Sequence, residues 1–274
     1  MPIEQIIVLA LIQGITEFLP ISSSGHLILV PVLTGWMDQG LIVDVMVHMG
    51  SLAAVLVYFW RDVLALLIGV FNLLRGKVTL YGKLAIFILI ATLPAVALGL
   101  WLRQSGIGDQ LRFAEIVAWN AIIWGILMYV ADRFGGMEKH MENLGLSHSF
   151  IIGCAQALAL IPGTSRSGIT MTAARMLGYS RPEAARFSFL LGIPAIAGAG
   201  TLVIGNAVEA GETITQDALL TGAITFFVAL AAIALLMAMV KRMSFLPFTI
   251  YRVLLGSLLL AIIYSGMGFM LAQP

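Results

Sequence analysis

The sequence predicts an all-α polytopic membrane protein: six transmembrane helices plus two re-entrant helical hairpins in an inverted-topology repeat. Three observations predict it. Only 11% of the 274 residues are charged while 60% are hydrophobic, where a soluble globule would carry about 25% charged residues. Six stretches are apolar enough over a length close to the ~20 residues that a bilayer core requires. Two more apolar stretches, 3–33 and 149–178, are broken by short polar runs and resemble each other. Membrane lipids are therefore the expected surroundings, and a net charge of +1 gives no reason to expect a nucleic-acid partner. No Lys or Arg precedes Arg61, so the N-terminus lacks the positive region of a cleaved signal peptide.

The six spans lie near 42–60, 84–102, 113–131, 187–208, 218–240 and 253–272. Asp44 and His48 interrupt the first, and the third carries Asn120. The stretch 3–33 breaks at Pro20 and the Ser-Ser-Ser-Gly run, and 149–178 breaks at Pro162-Gly163. Each reads as helix, polar loop and second short helix. Non-helical backbone is tolerated at membrane depth only where protein or water satisfies it, so both are expected as re-entrant hairpins.

Orientation follows the basic residues. Arg61, Arg75, Lys77 and Lys83 place 61–83 in the cytoplasm, as do Arg133 and Lys139 for 132–148 and Lys241 and Arg242 for 241–247. The first 60 residues lack Lys and Arg, and 206–217 holds only the acids Glu209, Glu212 and Asp217, so these face outside. The loop 103–112, with Arg103 and Arg112, fits less well, but alternation puts it outside. Three spans separate the two hairpins, so they enter the membrane from opposite faces.

At an offset of 143, Gln13 falls on Gln156, Ser22 on Ser165, Ser24 on Ser167 and Gly25 on Gly168. "GSLA" at 50–53 falls near "GIPA" at 192–195. One repeat is expected over 1–131 and a second over 149–274, within a single membrane domain. Repeats of this kind place polar sites near the midplane, where broken helices meet. The loops around Ser22 and Ser165 should thus face each other.

The second loop, "PGTSRSGIT", offers Arg166 as a bidentate partner for phosphate or carboxylate. Ser165, Ser167 and Thr170 add hydroxyls, and a helix starting near Ser167 adds N–H groups that favour an anion. The first loop, "EFLPISSSGHL", supplies reactive groups. Gln13 and Glu17 share a helix face at i, i+4. Ser22, Ser23 and Ser24 offer hydroxyls, with Ser23 or a neighbour as nucleophile, and His26 could serve as base, acid or nucleophile. Such a set opposite an anion cradle points to phosphoryl transfer or phosphoester hydrolysis. The competing class is a carrier or flippase for an anionic isoprenyl lipid or small anion; it needs the Arg166 cradle but no nucleophile.

"QGITEFLPISSSGHL" at 13–27 and "PGTSRSGIT" at 162–170 resemble the two signature motifs of the bacterial undecaprenyl-pyrophosphate phosphatases of the bacitracin-resistance type. "ARFSFLLGIPA" at 185–195 and "FLPFTIYR" at 245–252 are similar to family stretches too. The resemblance covers essentially the whole chain. It implies an inner-membrane enzyme, its site open to the periplasm, that removes one phosphate from undecaprenyl pyrophosphate and recycles the carrier for cell-wall polymers. It implies functional roles for Glu17, Ser23, His26, Ser165, Arg166 and Thr170, with Ser22, Ser24 and Ser167 beside them on the phosphate. A divalent cation, Mg²⁺ or Ca²⁺, goes with the family; its candidate ligands here are Glu17 and Gln13. The motif often has Glu where this chain has Gln13, and one carboxylate makes a poor Mg²⁺ site. A homodimer is the assembly to be tested.

Other conspicuous residues have plainer readings. Cys154 excludes an internal disulfide and reads as a small packed residue. Asp44 and His48 at i, i+4 read as a structural polar pair, and His140 and His148 as solvated loop residues. The 14 methionines are scattered as packing residues; Trp36, Trp60 and Trp101 fall near span ends, as interfacial tryptophans do. Arg181, Glu183 and Arg186 read as a charged cytoplasmic turn.

Overall fold

The computed structural model describes residues 1–107, 111, 113–211 and 213–265. Among them are eleven α-helices, and six are long and apolar enough to cross a membrane. These six are α3 (Leu41–Tyr58), α5 (Leu80–Ser105), α6 (Ala114–Phe134), α9 (Arg181–Glu209), α10 (Gln216–Met239) and α11 (Leu246–Tyr264). The chain is a multi-pass membrane protein, and each predicted span overlaps one of these helices. Arg112, Glu212 and the end of the sixth predicted span, 266–272, lie outside the described residues.

The two broken stretches are helix–loop–helix units. The first comprises α1 (Ile3–Thr16) and α2 (Ser23–Thr34); the second comprises α7 (Leu146–Leu158) and α8 (Arg166–Met176). Their loops have the same local geometry. Ser22 (φ 76°) and Ser165 (φ 70°) are the two non-glycine residues with positive φ among the described residues. Each caps the next helix: Ser22 Oγ accepts from Gly25 N–H at 3.4 Å and Ser165 Oγ from Gly168 N–H at 3.1 Å. A left-handed serine is strained, and the same strain recurs 143 residues apart.

Packing pairs the two halves of the chain. α1 lies on α10 and α7 on α5, while α3 packs on α9 and α10 and α6 on α11. Glycines set the closest crossings. A Cβ at Gly222 would lie 2.7 Å from the Met46 carbonyl oxygen, and one at Gly153 2.7 Å from Ala91 Cα.

Several expectations are corrected. The segment 61–83 is not only a loop: α4 (Trp60–Leu74) occupies most of it. Its 15 residues fall short of the ~20 needed to span, and its backbone meets α5 where a Cβ at Gly69 would lie 2.5 Å from Gly82 N. The sixth span starts at Leu246, because Pro247 sits in the first helical turn and Arg252, inside the helix, is buried. Cys154 is exposed on α7 rather than packed.

Asp132, at the end of α6, accepts from Arg175 Nε at 3.0 Å, Arg181 Nε at 2.7 Å and the Phe245 N–H at 2.9 Å. This one carboxylate joins α6, α8, α9 and α11 at one end of the bundle. Arg181, Glu183 and Arg186, expected as a charged turn, instead form the start of α9, where Arg186 pairs with Asp62 of α4 and stands 3.8 Å from Glu183. His148 is half-buried, not solvated, and shares a 2.8 Å hydrogen bond with the Tyr179 hydroxyl. Tyr179 lies outside the six spans, and burial pushes its hydroxyl pKa up to about 12.

Candidate active site

Between the two loops, α3 and α9 lies a cavity of about 370 Å³. Glu17, Ser22, Ser23 and Ser24 reach its wall from the first unit, and Gln156, Ser165 and Arg166 from the second. Two helix starts converge there. The first N–H groups of α2 and α8 have no intrahelical partner and favour an anion between them.

Glu17 is the centre of this array and is buried. Its Oε2 accepts from the Ser23 hydroxyl at 2.7 Å and from Gln13 Nε2 at 3.1 Å. Its Oε1 accepts from Arg166 Nη2 at 3.0 Å, a link 149 residues long in sequence. Arg166 Nη1 donates to the Ser188 carbonyl at 3.2 Å. The guanidinium lies against Gly192, where a Cβ would stand 2.7 Å from Cζ, so a side chain there would displace it. Two of the five N–H donors of an arginine are used in these bonds, and the rest are available to a ligand.

The structure does not bring every predicted residue to the cavity. His26 is off its wall. Its Nδ1–H donates to the Ser22 carbonyl at 2.7 Å. Its Nε2 meets the Tyr251 hydroxyl at 2.6 Å, with the rings stacked at 5.7 Å. In the neutral ring a donor at Nδ1 leaves Nε2 as the acceptor of the Tyr251 proton. Ser167 and Thr170 are buried behind the cavity. Ser167 donates to the Leu19 carbonyl at 3.2 Å; Thr170 bonds the Arg166 carbonyl at 2.8 Å and the Ser188 hydroxyl at 2.7 Å. These two bind loop to loop and α8 to α9.

Residues 6–258 match the family model described as bacitracin resistance protein BacA. The chain belongs to that family. A Jannaschia relative named undecaprenyl-diphosphatase is 48% identical over 267 residues, covering 97% of this chain and all of the relative. One from Erythrobacter litoralis with the same name is 48% identical over 279 residues, 94% of this chain and 98% of its own. Rhodospirillum rubrum has an undecaprenyl-diphosphatase 1 that is 48% identical over 269 residues, 96% of this chain and 95% of its own.

In this member of the BacA family, three site residues escaped sequence reasoning. His48 is on the cavity wall. Its Nδ1–H donates to the Asp44 carbonyl at 2.6 Å, and its Nε2 stands 3.7 Å from Glu17 Oε2. The pairing with Asp44 thus runs through backbone and leaves the imidazole facing Glu17. Arg252 is the second. It donates to the Pro20, Gly163 and Thr164 carbonyls of the two loops at 3.3, 2.9 and 3.0 Å, and to Asn120 and Ala121 of α6 at 3.1 and 3.2 Å. Tyr251, beside it, is the third. The stretch "FLPFTIYR" was the only signal for the last two; nothing in it specifies carbonyl ligation.

Of the residues expected to hold a divalent cation, Glu17 and Gln13 bond each other, and Asp44 of α3 is the other carboxylate on the cavity wall. Arg166 already neutralises the one carboxylate on the loops, and Gln13 turns its NH₂ group, a donor, toward that carboxylate. Among the described residues no three His, Cys, Asp or Glu side chains group as metal ligands. A second cavity, of about 470 Å³, lies beside Lys83, Glu142, Glu183 and Arg186 and holds none of these site residues.

Proposed function

We propose that the protein hydrolyses undecaprenyl pyrophosphate to undecaprenyl phosphate and inorganic phosphate, with Ser23 as nucleophile and Glu17 as its base. The relatives' name gives the substrate. The observation that carries the mechanism is the 2.7 Å hydrogen bond from the Ser23 hydroxyl to a carboxylate that also holds Arg166. A serine is a weak nucleophile until a base takes its proton, and a carboxylate at hydrogen-bond distance is such a base.

Ser23 Oγ attacks the terminal phosphorus, forming an O–P bond as the anhydride P–O bond breaks. Its proton passes to Glu17, and undecaprenyl phosphate leaves. Water then attacks the phosphoserine, inorganic phosphate departs, and the Ser23 oxygen recovers its proton. Arg166, Ser165, Ser22, Ser24 and the two helix starts meet the charge on the equatorial oxygens. His26 positions Ser22, and through it Ser23, from behind the loop. Any divalent cation is held by the pyrophosphate rather than by a protein cage, and no step here runs through one.

The same reading takes the two units as re-entrant hairpins of an inverted repeat over 1–131 and 149–274. The matched serine caps and the reciprocal packing of α1 on α10 and α7 on α5 support it. With the basic loops in the cytoplasm, the site opens to the outer face of the inner membrane. The test is phosphate release by purified protein in detergent. Release by the wild type, abolished by Ser23→Ala and by Glu17→Gln, is the expected result; full release by either variant overturns the assignment.

A further inference from the structure

We infer that the isoprenyl chain of the substrate leaves the phosphate site along the seam between α3 and α9. This rests on the phosphatase reading above and adds where the hydrocarbon goes. The cavity is most polar at the Glu17, Ser23 and Arg166 end; His48 and Asp44 of α3 also reach its wall, and the Asp44 carboxylate accepts from Gln39 Nε2 at 2.7 Å. Away from that end, α9 lines the wall with Ala195, Ala199 and Val203 at successive i, i+4 steps, and α3 with Leu41 and Val45. Val45 and Val203 also bound a second cleft between the same two helices, closed down to about 10 Å³. Ile42, Met46, Ile204 and Val208 line it, and every residue on its wall is apolar. A path that starts at an arginine and a serine and continues through an entirely apolar cleft matches a ligand with an anionic head and a hydrocarbon tail.

Two further features point to an occupant. Gln156 lines the cavity, and its carboxamide oxygen is buried with no hydrogen-bond partner within the protein. A protonated phosphate oxygen or a ligand-borne water is the donor it suits. Small residues face the cavity from α9 at Ala195, Ala199 and Gly200, with Met49 of α3 packed against Gly200. The opposite wall, formed by Ala95 of α5 with Ala159 and Leu160, shares no residue with the second cleft.

The experiment compares undecaprenyl pyrophosphate with dimethylallyl pyrophosphate, which keeps the head and lacks the long chain. Ala199→Phe is expected to raise KM for the long substrate at least about tenfold relative to the short one, the scale of discrimination that an apolar pocket exerts. Ala95→Phe is expected to leave that ratio at the wild-type value. A wild-type ratio in Ala199→Phe, or a shifted ratio in Ala95→Phe alone, overturns the route. Failure of the wild type to release phosphate from either substrate would instead overturn the phosphatase reading. Should Ala199→Phe not fold, a benzophenone-bearing isoprenyl pyrophosphate is photo-crosslinked to the wild type. Label on peptides 41–46 and 203–208 supports the seam; label confined to α5 and α7 overturns it.

Discussion

Replacing Arg252 by methionine should unhinge the two loops from each other. The guanidinium spends its five donors on five carbonyls, and three of them, Pro20, Gly163 and Thr164, belong to the loops that carry the site. Asn120 and Ala121 lie within a helix, and loss of the arginine leaves their helical bonds in place. The loop carbonyls are the ones left without their donor, each at a cost of about 1–3 kcal/mol when buried. Even the low end of that range gives about 3 kcal/mol in total, a large share of the 5–15 kcal/mol that holds a typical domain together. For a chain of this size the melting temperature should fall by roughly 6–12 °C. Arg252→Lys keeps three donors on a flexible stem and should fall between. Thermal melts in detergent, followed by tryptophan fluorescence, measure the effect, and phosphate release on the surviving folded fraction reports the site. An Arg252→Met protein that melts within 2 °C of the wild type, judged against that ~6–12 °C expectation, and turns over normally would refute this reasoning.

Other perturbations separate stability from chemistry. Asp132→Asn removes the partner of Arg175, which is fully buried, and should cost about 3–5 kcal/mol of stability; unchanged KM in the folded fraction, read by steady-state kinetics, is expected alongside. Gly192→Val should push the Arg166 guanidinium out of place and lower kcat/KM by about 10²–10³, with little change in melting temperature. Tyr251→Phe takes the donor from His26 Nε2 and should lower turnover only a fewfold, the ~1 kcal/mol of one hydrogen bond; complete loss would assign His26 a direct chemical role. Mg²⁺ alone should leave the melting temperature unmoved and raise it only with a pyrophosphate analogue present, since a ligand stabilises a fold only through binding it.

The sequence made the long helices and the two loops legible for different reasons. Spans announce themselves by apolar length, and all six helices follow that signal. The loops announce themselves because polar residues such as Glu17 and Arg166 are costly among apolar neighbours. α4 was hidden because Arg61, Asp62 and Arg75 at its ends read as a basic loop, although the residues between them are helix-forming and apolar. Arg252 was hidden because a cation satisfied by carbonyls leaves no acidic partner to find. Ser22 and Ser165 were visible as an aligned pair, but their shared left-handed backbone is a tertiary outcome that no residue spacing encodes. His48 was misjudged because Asp44 at i−4 offered a nearer partner in sequence than Glu17 does in space.

The central claim is that Ser23 carries the phosphoryl group. Rapid acid quench of the wild-type protein with terminally labelled undecaprenyl pyrophosphate, followed by peptide mapping, tests it most directly. Acid-stable label on the peptide containing Ser23, absent from Ser23→Ala, is the predicted result. Full turnover in Ser23→Ala, or an acid-labile, base-stable label on His26 in a parallel alkaline quench, would contradict it.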